Sequence, residues 1–156
     1  MTMEQTLASL SRQTGVAVLD HLERSMRIPV VDGLQAQGDL IVIPLDAVAP
    51  AVRPAPDEPR FGAPSPWRDV PPEGVELLRA EAGGNTHTLV AEPGICRWTA
   101  NVADDTGLAI GAFTASEVVY LLHPEHGASG CAPGTYVVRR QREHDRRRGG
   151  ARFVAD

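Results

Sequence analysis

Residues 74–143 read GVELLRAEAGGNTHTLVAEPGICRWTANVADDTGLAIGAFTASEVVYLLHPEHGASGCAPGTYVVRRQRE, and here short apolar runs alternate with turn residues. The runs 75–82 and 86–92 flank Gly83-Gly84-Asn85, which suits a hairpin because glycine accepts positive φ. Glu92-Pro93-Gly94 turns into ICRWTA, and Asp104-Asp105-Thr106-Gly107 turns into LAIGAF. EVVYLLH (117–123) is the strongest strand, GASGCAPG is a lead-in, and TYVVRRQRE (135–143) alternates at period two. Six or seven short strands with turns between them predict a mainly β fold, a small antiparallel barrel or jelly-roll-like sandwich.

Upstream, QAQGDLIVIPL begins a further β pattern, with a Gly-Asp turn feeding the apolar run Leu40 to Ile43. Residues 44–72 hold nine of the thirteen prolines. Proline removes ladder donors, so this stretch reads as a long loop or strap, pinned to the body by Trp67. Residues 3–26 carry the helical pattern: Leu7, Leu10, Val16, Leu19, Leu22 and Met26 recur at helical spacing. Gly15 divides that stretch and Pro29 ends it. The expected organisation is an N-terminal helical segment (1–28), a β domain (29–143) containing the strap, and an arginine-rich tail (144–156).

At 156 residues the chain fits one domain. Aromatics are only 4 %, which argues against a stacking platform for single-stranded nucleic acid. All 15 basic residues are arginine, and the absence of lysine excludes Schiff-base, lysine-base and P-loop chemistry. Ser25-Met26 before a Gly-Asp strand resembles the motif of self-cleaving repressors and signal peptidases, whose lysine base is missing here. Two cysteines, Cys96 and Cys131, are too few for a disulfide framework and lack CxxC spacing. They read as reduced thiols, one of them buried. The N-terminus lacks a signal-peptide layout and no apolar run approaches the roughly 20 residues of a membrane span. The expectation is a cytoplasmic protein with no membrane role.

Net charge is −5, unevenly spread. From position 139 onward seven arginines face three acids, giving +4 and leaving −9 for the rest. Arg139, Arg140, Arg146, Arg147 and Arg148 are candidates for an acidic partner or nucleic-acid phosphate, whose binding would fall steeply with salt. The acidic body opposes nucleic acid, so that reading is not favoured.

The residues that can carry chemistry are His87, His123, Glu125, His126 and Gln141, candidates for one pocket if the strands holding His87 and His123 are neighbours. This layout resembles the cupins, in which a histidine cluster on one strand meets a distant histidine on another. The resemblance implies one divalent transition metal on His87, His123 and His126, with Glu125 as ligand or base. Asn85 stands where the first histidine of that family's His-x-His pair would be. The plainer reading makes these histidines surface or hydrogen-bonded loop residues.

Residues 35–143 also resemble a family of uncharacterised small bacterial proteins with a histidine hairpin, an H-x-E-H segment and a closing G-x-Y-x-V-x-x-Q-R-E strand. Here these are His87, then His123, Glu125 and His126, then Gly134, Tyr136, Val138, Gln141, Arg142 and Glu143. The reading favoured is a non-catalytic binding or accessory protein of a bacterial cytoplasmic system, assembling with a protein partner or itself. A cupin-like metal enzyme and a nucleic-acid accessory factor are the alternatives.

Overall fold

The computed structural model describes residues 5–16, 27–79, 86–145 and 150–153. Among the described residues one helix, α1 (Leu7–Thr14), precedes the strands. Thr6 caps it: its hydroxyl accepts from the Ser9 N–H at 3.1 Å while the Ser9 hydroxyl accepts from the Thr6 N–H at 2.9 Å. Gly15, at φ +76°, ends it in the left-handed conformation, which glycine adopts without a Cβ penalty. The helix ends at Gly15, where the sequence divides the apolar stretch, and Leu19, Leu22 and Met26 lie outside the described residues.

The next elements are β1 (Val30–Val31), β2 (Gln35–Gln37), β3 (Leu40–Pro44), a four-residue helix α2 (Leu45–Val48), β4 (Val52–Pro54) and β5 (Arg68–Asp69). Then come β6 (Val75–Arg79), β7 (Thr86–Val90), β8 (Cys96–Thr99), β9 (Val102–Asp104) and β10 (Ala109–Ala115). The series closes with β11 (Val119–His123), β12 (Gly127–Cys131), β13 (Gly134–Arg140), β14 (Arg142–Asp145) and β15 (Gly150–Phe153). One sheet has the order β1-β12-β11-β7-β6 and a second has β2-β3-β13-β10-β8-β5. Two small ribbons, β4-β9 and β14-β15, stand beside them. The protein is mainly β. The sheets keep open edges, β1 and β6 in one and β2 and β5 in the other, so no closed barrel forms among the described residues.

The core is shared by the two sheets. Leu89, Val119, Leu121 and Cys131 from the first pack with Leu40, Val42, Phe113 and Val138 from the second. Each such side chain contributes about 1.5–3 kcal/mol by leaving water. Because successive strand residues face opposite sides, Val90, Tyr120 and Leu122 point the other way. There α1 covers them with Leu7 and Leu10. With both faces covered, all five residues of β11 are buried, and the strand is apolar until its last position, His123.

Strand β12 corrects the sequence reading of GASGC as a lead-in. Five residue pairs join it to β11, and β1 runs parallel along its other side. Gly130 permits that approach: a Cβ there would lie 2.9 Å from Val30 Cγ2 and 3.2 Å from the Pro29 carbonyl oxygen. The expected turn at Gly83-Gly84-Asn85 lies outside the described residues, although β6 and β7 do pair antiparallel.

The proline-rich strap contributes α2, β4 and β5 and is clasped to the body by Arg97. Its guanidinium donates two bonds to Asp57 (2.6 and 2.9 Å), one to Asp69 (3.0 Å) and one to the Trp67 carbonyl (3.1 Å). The hydrogen bonds from Arg97, followed by one from Ser65, hold the Asp57 carboxyl below its ordinary range. Trp67 is buried and its indole N–H donates to the Ala55 carbonyl at 2.6 Å.

A second ion pair ties β13 to β9. Arg139 donates from Nε and Nη2 to the two oxygens of Asp104, at 2.9 and 3.0 Å. Burial pushes the Asp104 carboxyl up, but the bonds from Arg139 and from the Thr106 amide and hydroxyl outweigh it, leaving it below its ordinary 3.8. A depressed folded value means stability that is present above pH 3.8 and is lost as pH falls through the folded value. Urea unfolding followed from pH 6 to about pH 2 should therefore fall more steeply for the wild type than for Asp104→Asn, the two converging at the acid end. Parallel curves would remove this pair from the acid response.

Candidate functional site

The first two of the sequence-predicted histidines come from adjacent strands, β7 and β11. By strand alternation His87 shares the inner face of β7 with Leu89, and His123 the inner face of β11 with Leu121. Both rings are buried at one end of the core, each 1 % exposed. The chain then reverses through Pro124 and Glu125 to His126, which is exposed. The His87 and His123 centroids lie 4.5 Å apart, as do those of His123 and His126. His87 and His126 are nearly parallel at 6.3 Å. Neighbouring rings are tilted, by 42° between His87 and His123 and by 39° between His123 and His126, so the three imidazoles form a cluster that leads from the interior to the surface.

The β2–β3 turn supplies the polar partners. Gln37 Nε2 donates to the Leu121 carbonyl at 3.1 Å, which orients the amide and turns Oε1 toward His87 Nδ1 at 2.9 Å. His87 Nδ1 must therefore donate. Its Nε2 lies 3.0 Å from Asp39 Oδ1. The ring is thus held between an amide oxygen and a carboxyl group, with Gln37 and Asp39 both buried. His123 is held differently: its Nδ1 accepts the backbone N–H groups of Glu125 (3.0 Å) and His126 (3.2 Å), so in the neutral ring the proton is on Nε2.

Gln141 reaches the same end through its backbone N–H, which donates to the Asp39 carbonyl at 2.9 Å. The exposed Glu125 lies in the turn between the two outer histidines. All five predicted pocket residues are therefore at one end of the fold. Gln37 and Asp39, which engage His87 directly, were not among them. Their sequence signal is slight: two polar residues about a glycine, at the head of an apolar strand.

The cluster differs from a metal centre in what its ring nitrogens meet, because metal-ligating imidazoles turn unengaged in-plane nitrogens toward one point. Both in-plane positions of His87 are engaged by Gln37 and Asp39, and Nδ1 of His123 by backbone amides. Among the described residues no group of three or more His, Cys, Asp or Glu side chains is arranged to hold a metal ion.

Cys96 and Cys131 are free thiols, and both are buried, where one was expected to be. Burial pushes each up to about 12. In the arginine-rich region, Arg139 is committed to Asp104 and Arg140 lies half-buried on β13, while Arg146, Arg147 and Arg148 are outside the described residues. No helix among the described residues is long and apolar enough to cross a membrane.

Two open concavities among the described residues are lined by none of the histidines. A groove of about 590 Å³ runs along the β5–β8 edge, walled by Pro66, Pro71, Val75 and Trp98 with Arg68, Asp69 and Asn101 on its polar side. A recess of about 250 Å³ beneath the strap shares Pro66 and Asn101 with it.

Fold and site together define a mainly β protein in which two open sheets share a core and a histidine cluster anchored by Asp39 lies at one end. The chain belongs to the family of the domain of unknown function DUF8820, whose model matches residues 36–141. That span contains Gln37, Asp39, the three clustered histidines and Gln141. No curated protein matches the chain, and no solved structure does.

Proposed function

We propose that this is a non-catalytic binding or accessory protein, acting in a bacterial cytoplasmic system by assembly with a protein partner or with a second copy of itself. The observation that carries this reading is that the polar chemistry is turned inward. The nitrogens of His87 are spent on Gln37 and Asp39, and His123 Nδ1 on its own turn. The open groove, in contrast, is walled by proline, valine and tryptophan and rimmed by polar groups, the composition of a docking surface. Thiols raised to about 12 are poor nucleophiles at neutral pH, in keeping with a role outside catalysis. Two unpaired cysteines suit a reducing compartment. We read the two sheets as a jelly-roll-like sandwich.

The convergence of three histidine rings favours one other reading, a cupin-like site for a divalent metal on His87, His123 and His126. It requires His87 to give up Asp39 or Gln37. The two readings part on metal content, measured by mass spectrometry on protein purified without an affinity tag, beside His123→Ala. The accessory reading expects no stoichiometric metal in either sample. About one zinc, iron, nickel or manganese per chain, lost in the variant, overturns it.

A further inference from the structure

Phe61 stands at the tip of a two-residue turn in the strap, fully exposed (102 %) and at φ +50°. Across the turn Arg60 and Ala63 exchange both backbone hydrogen bonds, at 3.1 and 2.8 Å, and Gly62 follows at φ +79°. Two successive positive φ values are the mark of a primed hairpin turn, in which asparagine, not a bulky ring, suits the first position. A lone exposed apolar residue is ordinary. A phenylalanine held in left-handed backbone and wholly in water is not, because the single chain gains from neither feature.

The complement of that ring is on the same face. The recess beneath the strap is lined by Arg60 and Ala63, which flank Phe61, and it joins the larger groove through Pro66 and Asn101. Charges are available as well. Glu58 lies beside the tip, 59 % exposed and only loosely paired with its neighbour Arg60 at 3.7 Å, and the exposed Arg68 lies at the groove, while Asp69 is already taken by Arg97. A face that carries both a knob and a hole of like chemistry is self-complementary, and such faces close as two-fold pairs.

Resting on the accessory-protein reading, we infer that this face joins two copies of the chain: Phe61 of each enters the partner's groove, and Glu58 meets the partner's Arg68. Pairing releases the ring from water and turns the strained tip into a contact. Arg97 serves it by holding the strap, and so the knob, in place against β8.

Sedimentation velocity on the full chain, from about 5 to 500 µM, tests this in the range where small interfaces dissociate. The wild type should self-associate with rising concentration. Phe61→Asn, which suits the turn better, should weaken association about a hundredfold by exposing two grooves and losing two rings. Its melting temperature, taken where the wild type is monomeric, should be unchanged or raised. Ala100→Arg, at an exposed groove position, should block association equally. An equimolar mixture of the two variants should regain part of it, since one keeps the knob and the other the groove. A wild type that stays monomeric throughout, or a Phe61→Asn protein that associates like it, overturns the inference. Metal content is a separate readout: stoichiometric metal in a self-associating protein overturns the accessory reading alone, and a metal-free monomer overturns the interface alone.

Discussion

Asp39→Ala should lower the unfolding free energy by about 3 kcal/mol, because it strands a buried ring nitrogen without its partner. Asp39 and His87 are 6 % and 1 % exposed and 3.0 Å apart, so no water replaces the lost oxygen without opening the β2–β3 turn. Asp39→Asn keeps an acceptor of the same shape and removes the charge, and should cost about 1–3 kcal/mol. The informative comparison is the pair. Adding His87→Leu to Asp39→Ala removes the orphaned ring and should recover ~1 kcal/mol or more, although Gln37 Oε1 then loses its ring N–H. Urea titration followed by circular dichroism gives all four values. An Asp39→Ala cost under ~1 kcal/mol would mean that the pair contributes little to holding this end of the core closed.

Gly111→Ala should be nearly as damaging, through backbone packing in place of charge. Trp98 lies across Gly111, and a Cβ there would fall inside contact distance of the indole ring and of the Thr99 carbonyl oxygen. The ring can swing away, but the carbonyl belongs to β8, which is hydrogen-bonded to β10 from Thr99 to Cys96. Relief therefore requires moving a paired strand as well as a wall of the groove. Overpacking of this kind costs about 3 kcal/mol, which for a chain of this size lowers the melting temperature by about 6–12 °C. Tryptophan emission should shift to the red as Trp98 leaves its seat. A loss of less than ~3 °C would show that β8 accommodates the methyl group.

These two positions mark where reading the sequence stops. Gly111 stands inside LAIGAF, which the apolar pattern identifies as a strand, but nothing local says that an indole will lie on it. The partners of His87 are hidden in the same way. Gln37 and Asp39 read as a polar turn, and only the folding of that turn onto the end of β7 makes them acceptors. Strand β12 is the plainest case. Gly127, Ala128, Ser129 and Gly130 have little strand preference, and pairing with β11 and β1 makes them one.

What the sequence by itself determined is the mainly β character, the strands β6, β7, β8, β10, β11 and β13, and the proline-rich stretch 44–72 between β3 and β6. Those features are local: period-two apolar runs, turn residues between them, and prolines that forbid ladders. What only the tertiary structure decided is non-local. The two sheets remain open and share a core, α1 covers the back of one, the three histidine rings cluster, and His87 is held by an amide and a carboxyl group that lie 50 and 48 residues away in the chain. Alternation tells which residues share a face. Which face meets which is settled by the burial of apolar surface across the whole chain, and a sequence window does not contain that information.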